Sequence, residues 1–481
     1  MEAEEVKRKT VRGTIVLTGR TVFLQLISAI AFFLLGIFLA PATIGVYIIV
    51  SSVLRLFTLF TDVGLSAALI QKRDEPDIND LRTAFTVSEM LVVPIVIIGW
   101  LLSPIVAKYT GFDSQGIFLY QVLVFTLFIS SLKVIPSVLL ERKLAFEIQV
   151  LPQIVETLVF NLIVVFLAFK GFGVASFSWA VLVSALAGLP IYYLVSPWKV
   201  GLGVTLSKVK SLFSYGLAFQ GKTVLAVLKD DLLTFVLSGM VGASGVGFWG
   251  WAQRWSYFPF RFIVDSVTKV TFPAYSRIQS QREILGGAIE KSLFVVSLTL
   301  FPILTIMMVM IPKLIYLVPR YVKWEPAIAS FIFLCLAAAL SSLSNILVNA
   351  LDATGRVKTT LGLMVAWVIL TWALTMALVT RQGFTGIAVA SFGVSLTVFI
   401  TAYIVKKQIK FSFWGSFYQA FLSCLVMGAA MWFLSSALPL NYLNLGITAM
   451  MGVIIYTGIM LILVGEKLHS NFRLIWGSLK R

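Results

Sequence analysis

Long apolar runs separated by short polar connections dominate this sequence of 481 residues. A helix needs roughly 20 predominantly apolar residues to cross about 30 Å of hydrocarbon. Fourteen runs meet that requirement, at about 13–40, 43–71, 83–107, 117–140, 148–169, 173–195, 213–240, 246–273, 290–312, 326–351, 359–380, 384–405, 413–437 and 445–464. The pattern therefore predicts an all-α integral membrane protein with fourteen transmembrane helices.

Basic residues in the connections predict how these helices are oriented. The loops on the N-terminal side carry 24 lysines and arginines, whereas those on the opposite side carry six. Loops that stay in the cytoplasm are enriched in such residues. Because an even number of spans returns the chain to its starting side, we expect a multi-pass protein of the cytoplasmic (inner) membrane with both termini in the cytoplasm.

Composition agrees with this class and narrows the chemistry. The chain is 59% hydrophobic and only 12% charged, whereas soluble domains are about one quarter charged. The net charge of +17 is explained by the cytoplasmic loops, so it predicts contact with membrane lipids and no nucleic-acid partner. Cys335 and Cys424 lie in apolar runs and His469 is the only histidine, so we expect no disulfide and no metal site.

The sequence also contains signs of an internal repeat. Three motifs recur in order at offsets of 202, 211 and 212 residues: Ile44–Tyr47 as Val246–Trp249, Ser130–Leu132 as Ser341–Leu343, and Gly171–Phe172 as Gly383–Phe384. Two six-span halves in the same orientation suit alternating access around a central site. An old duplication that serves a channel or a scaffold is the alternative.

The repeat predicts the domain organisation. We expect an N-lobe over residues 1–195 with spans 1–6, followed by a cytoplasmic amphipathic linker over 196–212. A C-lobe over 213–405 contains spans 7–12, and residues 406–481 form spans 13–14 and a cytoplasmic tail. The two six-helix lobes are predicted to surround a central cavity.

Charged residues inside the spans indicate where that cavity lies. They are Arg20, Arg55, Lys133, Lys222, Lys229, Arg254, Arg261 and Lys269, with the acids Asp62, Glu89, Glu156, Asp230, Asp231 and Asp265. Each costs about 2.5–3.5 kcal/mol at mid-bilayer even on the lenient insertion scale, so they must face one another or water. Most of them lie on spans 1, 2, 7 and 8, the first two helices of each half, which predicts a mildly cationic, hydrated cavity.

The spacing within span 8 draws a polar stripe along one helix face. Arg254, Arg261, Asp265 and Lys269 stand at i, i+7, i+11 and i+15, which on an ideal helix covers about 22 Å. Arg55, Arg254 and Arg261 lie too deep to reach the interface easily, and we expect them to contact ligand. The planar guanidinium suits phosphate because it donates two charge-assisted hydrogen bonds at once.

Other interpretations of these charges stay open. Arg20, Lys222 and Lys269 are near enough to the cytoplasmic ends of their spans to extend toward water. The pairs Arg55–Asp62 and Arg261–Asp265 are spaced to be structural ion pairs. Asp230 and Asp231 stand mid-span, where a carboxylate exchanges protons, binds Na⁺ or pairs with the neighbouring Lys229.

Several segments resemble a known family over essentially the whole chain. They are the runs Leu35–Tyr47 and Thr61–Gln71 around span 2, and the span 7–8 pattern of Asp231-Leu232-Leu233, Gly239 and Gly247-Phe248-Trp249. Together with the fourteen spans and two lobes, they resemble the polysaccharide repeat-unit exporters (Wzx-type flippases) of the multidrug/oligosaccharidyl-lipid/polysaccharide exporter superfamily. These patterns are diffuse, so they indicate the family better than the substrate.

The resemblance implies a transporter and not an enzyme, without cofactors or catalytic residues. Its expected substrate is an undecaprenyl-pyrophosphate-linked oligosaccharide, with polymer-assembly proteins as further partners. It implies a headgroup site made by Arg20, Arg55, Arg254 and Arg261, to which we add Lys229. Coupling to H⁺ or Na⁺ is expected at Asp62, Asp230, Asp231 and Asp265.

Three alternatives remain at this point. A membrane-embedded glycan polymerase or glycosyltransferase usually carries a sizeable outer loop with acids or a metal, whereas no predicted non-cytoplasmic loop here exceeds about a dozen residues. A multidrug/cation antiporter of the same superfamily normally has twelve spans and a less cationic cavity. A lipid II flippase has the same span count and similar arginines, and it stays open.

Overall fold

A computed structural model describes residues 3–61, 65–72, 74–205 and 221–479, and the regular elements within those ranges are helical. The first group comprises α1 (Ala3–Phe38), α2 (Pro41–Thr61), α3 (Leu65–Gln71), α4 (Ile78–Thr110), α5 (Ser114–Leu132), α6 (Val134–Arg142), α7 (Phe146–Phe169), α8 (Ala175–Val195), α9 (Gly221–Val227), a π-helix (Leu228–Leu232) and α10 (Leu233–Ser256). The second group comprises α11 (Phe258–Ile278), α12 (Arg282–Leu317), a 3₁₀-helix (Val322–Ala327), α13 (Ile328–Ala353), α14 (Val357–Gln382), α15 (Phe384–Ser395), α16 (Val398–Lys406), α17 (Phe413–Ala437) and α18 (Tyr442–Leu479).

The prediction of an all-α, multi-pass membrane protein is confirmed. Eleven helical segments of the described chain are long and apolar enough to cross a membrane, and they coincide with predicted spans 2–6 and 9–14. In the first predicted span only Phe23–Phe38 forms an apolar helix. Predicted spans 7 and 8 are helical where they are described, but they carry many of the charged residues. The total of fourteen spans stays a prediction.

The chain divides into two compact units, Met1–Gly247 and Phe248–Arg481. The lobe boundaries predicted at residues 195 and 405 and the linker over 196–212 remain predictions. Residues 206–212 of that linker lie outside the described part of the chain.

Several predicted spans are interrupted. The run 117–140 is two helices that meet at Lys133, and the run 384–405 is divided after Ser395. The run 246–273 changes helix at Tyr257, between α10 and α11. An apolar run fixes how much chain sits in hydrocarbon, but the turns between short helices leave no clear mark on hydropathy.

Helix α10 contains a break that separates predicted spans 7 and 8. Gly242 has φ 66° and ψ 175°, a region that essentially only glycine occupies. The prediction that one span ends near residue 240 and the next begins near 246 agrees with this position.

Immediately after that break, α10 crosses α2 at two glycines of the first unit. A Cβ on Gly45 would lie 2.9 Å from the backbone nitrogen of Gly247 and closer still to the carbonyl oxygen of Ala243. A Cβ on Gly247 would overlap the carbonyl oxygen of Pro41. Small residues allow membrane helices to approach this closely, so the two copies of the first repeated motif touch each other backbone to backbone.

Helix α13 forms the centre of the second unit. Its residues Phe331, Ile346 and Leu347 are fully buried, and α13 packs against α11, α12 and α15. Trp251 and Trp324 stack nearby with their ring centroids 5.3 Å apart. This buried helix supports α11, which carries most of the predicted polar stripe.

Candidate functional site

The predicted site residues Arg55 and Asp231 form an ion pair in the first unit. The Nε of Arg55, on α2, donates to Oδ1 of Asp231 at 2.5 Å. The Asp231 side chain is only 10% exposed, whereas the Arg55 side chain is 52% exposed. The contact therefore holds the Nε of Arg55, while about half of the Arg55 side chain stays exposed.

A π-helix places the acidic partner of this pair. Residues Leu228–Leu232 form one wide turn between α9 and α10, and such single-turn insertions occur often at functional sites. Asp231 faces α2 from this turn, while Asp230 is 64% exposed and lies 3.3 Å from the Nζ of Lys229. The two adjacent acids thus have different partners and different exposure.

These contacts assign a partner to each of the two acids. The sequence allowed either acid to pair with Lys229, and the structure pairs Lys229 with Asp230. Asp231 instead pairs with an arginine that lies 176 positions away in the chain. The predicted Arg55–Asp62 pair has no outcome because Asp62 lies outside the described residues.

In the second unit, α11 carries the predicted polar stripe in part. Arg261, Asp265 and Lys269 are exposed at intervals of four residues, whereas Val264 and Tyr275 are buried. The exposed face covers about 12 Å of helix. The chain changes helix at Tyr257, so the predicted stripe from residue 254 to residue 269 is not one continuous helical face. Arg254 lies instead near the end of α10, where it is exposed.

Arg20 is the one predicted headgroup residue whose side chain lies outside the described part. Its backbone belongs to α1.

Among the other predicted site residues, the structure brings Arg55 together with Asp231 and keeps Lys229 with Asp230. It aligns Arg261 with Asp265 on one helix face.

Two further membrane-embedded charges neutralise each other away from the predicted site. Lys133, at the junction of α5 and α6, donates to Oε1 of Glu156 on α7 at 2.5 Å. Glu156 occupies the space over Gly188 of α8, where a Cβ would overlap its carboxylate. This pair explains two charges as structural, and the glycine that makes room for it could not be recognised from sequence spacing.

Sequence and structure comparisons place the chain among known proteins. A family model described as "Polysaccharide biosynthesis protein" matches residues 34–329. The chain is 25% identical to an uncharacterized membrane protein in the cps region of Klebsiella pneumoniae, over 72% of this chain and 69% of that protein. It is 29% identical to the lipopolysaccharide biosynthesis protein WzxC of Escherichia coli, over 33% and 32% of the two chains.

A solved structure supports the same fold. The inward closed conformation of the lipid II flippase MurJ superposes with a TM-score of 0.76 at 14% sequence identity. The match covers 94% of this chain and all of that one.

Proposed function

Because this chain belongs to the family of polysaccharide biosynthesis proteins, whose model matches residues 34–329, we propose that it is a flippase for a lipid-pyrophosphate-linked oligosaccharide. It moves the repeat unit of a surface polysaccharide across the cytoplasmic membrane by alternating access. In this proposal the chain crosses fourteen times with both termini in the cytoplasm. The lipid carrier is undecaprenyl, and polymer-assembly proteins receive the product.

The physical task explains why such a protein needs cations within apolar helices. A pyrophosphate headgroup meets a barrier on the order of 20 kcal/mol per ion in an idealised medium of low dielectric constant. A hydrated cavity with guanidinium groups replaces the water that the headgroup loses. The lipid tail needs no such help, since it remains in hydrocarbon throughout. The protein makes and breaks no covalent bond in this cycle.

The observation that carries the headgroup site is the half-exposed side chain of Arg55 on an otherwise apolar helix. Helix α2 is apolar enough to span the membrane, yet half of the Arg55 side chain is exposed and one edge is held by Asp231. Arg261 and Lys269 add exposed cations on α11. We propose that Arg55 and Arg261, with Arg20, Arg254 and Lys229, bind the pyrophosphate and the first sugar.

Ion coupling is a further part of the proposal. The acids Asp62, Asp230, Asp231 and Asp265 are the candidate carriers of H⁺ or Na⁺. Asp230 and Asp231 each form an ion pair with a proposed headgroup cation, and the Asp231 side chain is the more buried of the two. Asp231 is therefore the first carboxylate to test.

A cell-based export assay tests the function. A bacterial host that lacks its own repeat-unit exporter is complemented with this chain and with Arg55→Ala, Arg254→Ala or Arg261→Ala. Each variant is expected to insert normally, to reduce surface polymer at least tenfold and to accumulate lipid-linked repeat units inside the cell. Normal polymer in all three variants would contradict the proposal.

A matched control separates lost headgroup contacts from a general loss of charge. Arg277 is an exposed arginine in the last turn of α11, the helix that also carries Arg261. Arg277→Ala is expected to retain export. Loss of export on changing Arg320 or Lys323 instead, with the three arginine variants active, would place the essential site at Arg320 and the 3₁₀-helix that contains Lys323.

A further inference from the structure

The ion pair between α2 and the π-helix joins a proposed substrate ligand to a proposed ion carrier. Arg55 uses its Nε for Asp231, and the Arg55 side chain as a whole is half-exposed. Phosphate recognition by arginine works best when two parallel N–H groups face two oxygens. A headgroup that takes the edge of Arg55 that includes Nε competes with Asp231 for the same N–H group.

Asp231 is poorly placed to lose that partner. Its side chain is 10% exposed, and Lys229, the nearest cation along the chain, contacts Asp230. Asp230, the adjacent residue of the π-helix, is a second acid beside this pair. An ionised Asp231 without Arg55 would therefore be a buried carboxylate beside a second acid, which is unfavourable.

We propose that Arg55 exchanges between Asp231 and the anionic headgroup, and that Asp231 takes up one monovalent cation, H⁺ or Na⁺, when Arg55 leaves it. This inference rests on the proposed function and specifies how its headgroup site is coupled to an ion. In the H⁺ case a hydronium ion of the solvent gives its proton to a carboxylate oxygen of Asp231, so that one O–H bond breaks and one forms. In the Na⁺ case the ion takes the place of the guanidinium and no covalent bond changes.

Linkage fixes the sign of the coupling. If headgroup binding promotes cation binding at Asp231, then the cation raises headgroup affinity by the same factor. At low pH, or with Na⁺, Asp231 no longer competes for Arg55 and the headgroup binds more tightly. At high pH without Na⁺, the ion pair persists and binding weakens.

Calorimetry on the purified full-length protein tests this exchange, with inorganic pyrophosphate as the probe. Titrations at one pH in buffers of different ionisation enthalpy give the protons taken up per pyrophosphate bound. Choline chloride replaces sodium chloride at constant ionic strength, so the H⁺ and Na⁺ arms are separate. The variants are Asp231→Asn, Arg55→Gln and the matched control Glu283→Gln, which changes an exposed acid in the first turn of α12 that is not among the proposed ion carriers.

The H⁺ arm predicts that wild type takes up about one proton more per pyrophosphate than Asp231→Asn. Subtracting the variant removes the protonation of pyrophosphate itself. The Na⁺ arm predicts instead that Na⁺ raises the affinity of wild type and not of Asp231→Asn. In either arm Asp231→Asn binds pyrophosphate about three- to tenfold more tightly at high pH without Na⁺, because the competing carboxylate is gone. Glu283→Gln keeps the wild-type linkage.

Two results would overturn the inference, and they are distinguishable. If wild type and Asp231→Asn bind pyrophosphate with equal proton uptake and equal Na⁺ dependence, while Arg55→Gln loses affinity, the exchange is wrong and the headgroup site stands. If wild type does not bind pyrophosphate, or Arg55→Gln binds it equally well, the proposed headgroup site fails and the exchange fails with it.

Discussion

The crossing of α2 and α10 offers a direct test of the fold around the candidate site. Replacing Gly45 by alanine adds one methyl group between two backbones that already touch. Its carbon would stand 2.9 Å from the Gly247 nitrogen and still nearer to the Ala243 carbonyl oxygen. Because carbon needs about 3.5 Å from such atoms, the helices must separate by more than half an ångström.

That displacement sets the expected magnitude. Overpacking costs about 1–3 kcal/mol, and the obstacle here is backbone that cannot rotate away, so we expect about 3 kcal/mol. A destabilisation of that size lowers the melting temperature by about 5–10 °C for a unit of this size. The measurement is the thermal loss of monomer from detergent solution, followed by size-exclusion chromatography.

Gly362 provides the matched control on α14. A Cβ on Gly362 meets no atom within 4 Å, so Gly362→Ala is expected to be neutral or to stabilise by about 0.4–1 kcal/mol. Equal melting temperatures for Gly45→Ala and Gly362→Ala would show that α2 and α10 do not cross so closely, and the reasoning would be refuted.

The remaining predictions concern the contacts around the site. Lys133→Met removes the partner of Glu156 and is expected to lower the free energy of unfolding by about 1–3 kcal/mol. Adding Glu156→Gln to that variant should restore part of the loss, and equal melting temperatures for the single and double variants would contradict the ion pair. Gly188→Ala forces Glu156 away and is expected to be destabilising only while Glu156 is present, as a double-mutant cycle with Glu156→Ala would show. Arg142 donates to the carbonyl oxygens of Leu69, Ile70, Lys72 and Asp74. Because these hydrogen bonds hold the segment around Lys72, Arg142→Gln should speed tryptic cleavage at Lys72 about tenfold or more. An unchanged cleavage rate would show that Arg142 does not hold this segment.

The helical class was predictable because its signal is local. Twenty apolar residues in a row are visible in the sequence, and the eleven segments found here coincide with predicted spans. The break at Gly242 also fell where the prediction placed a boundary. Spans with charged residues were harder, since hydropathy falls where the function needs polar side chains.

Pairings between distant elements could not be predicted in the same way. Helical spacing connects residues seven apart on one helix, so it could not indicate that Arg55 pairs with Asp231, which lies 176 positions away in the chain. The glycines at positions 45 and 247 were recognised as copies of one motif, but their mutual contact follows from packing that a single sequence does not reveal.

The central claim is that this chain moves a lipid-pyrophosphate-linked oligosaccharide and uses Arg55 to hold the headgroup. The transfer step can be measured in reconstituted proteoliposomes that contain a fluorescent form of that lipid. A membrane-impermeant quencher removes the fluorescence of each labelled lipid that reaches the outer leaflet. The account predicts flipping by wild type and Arg277→Gln and at least tenfold slower flipping by Arg55→Gln. Wild-type vesicles no faster than empty liposomes, or Arg55→Gln equal to wild type, would contradict it.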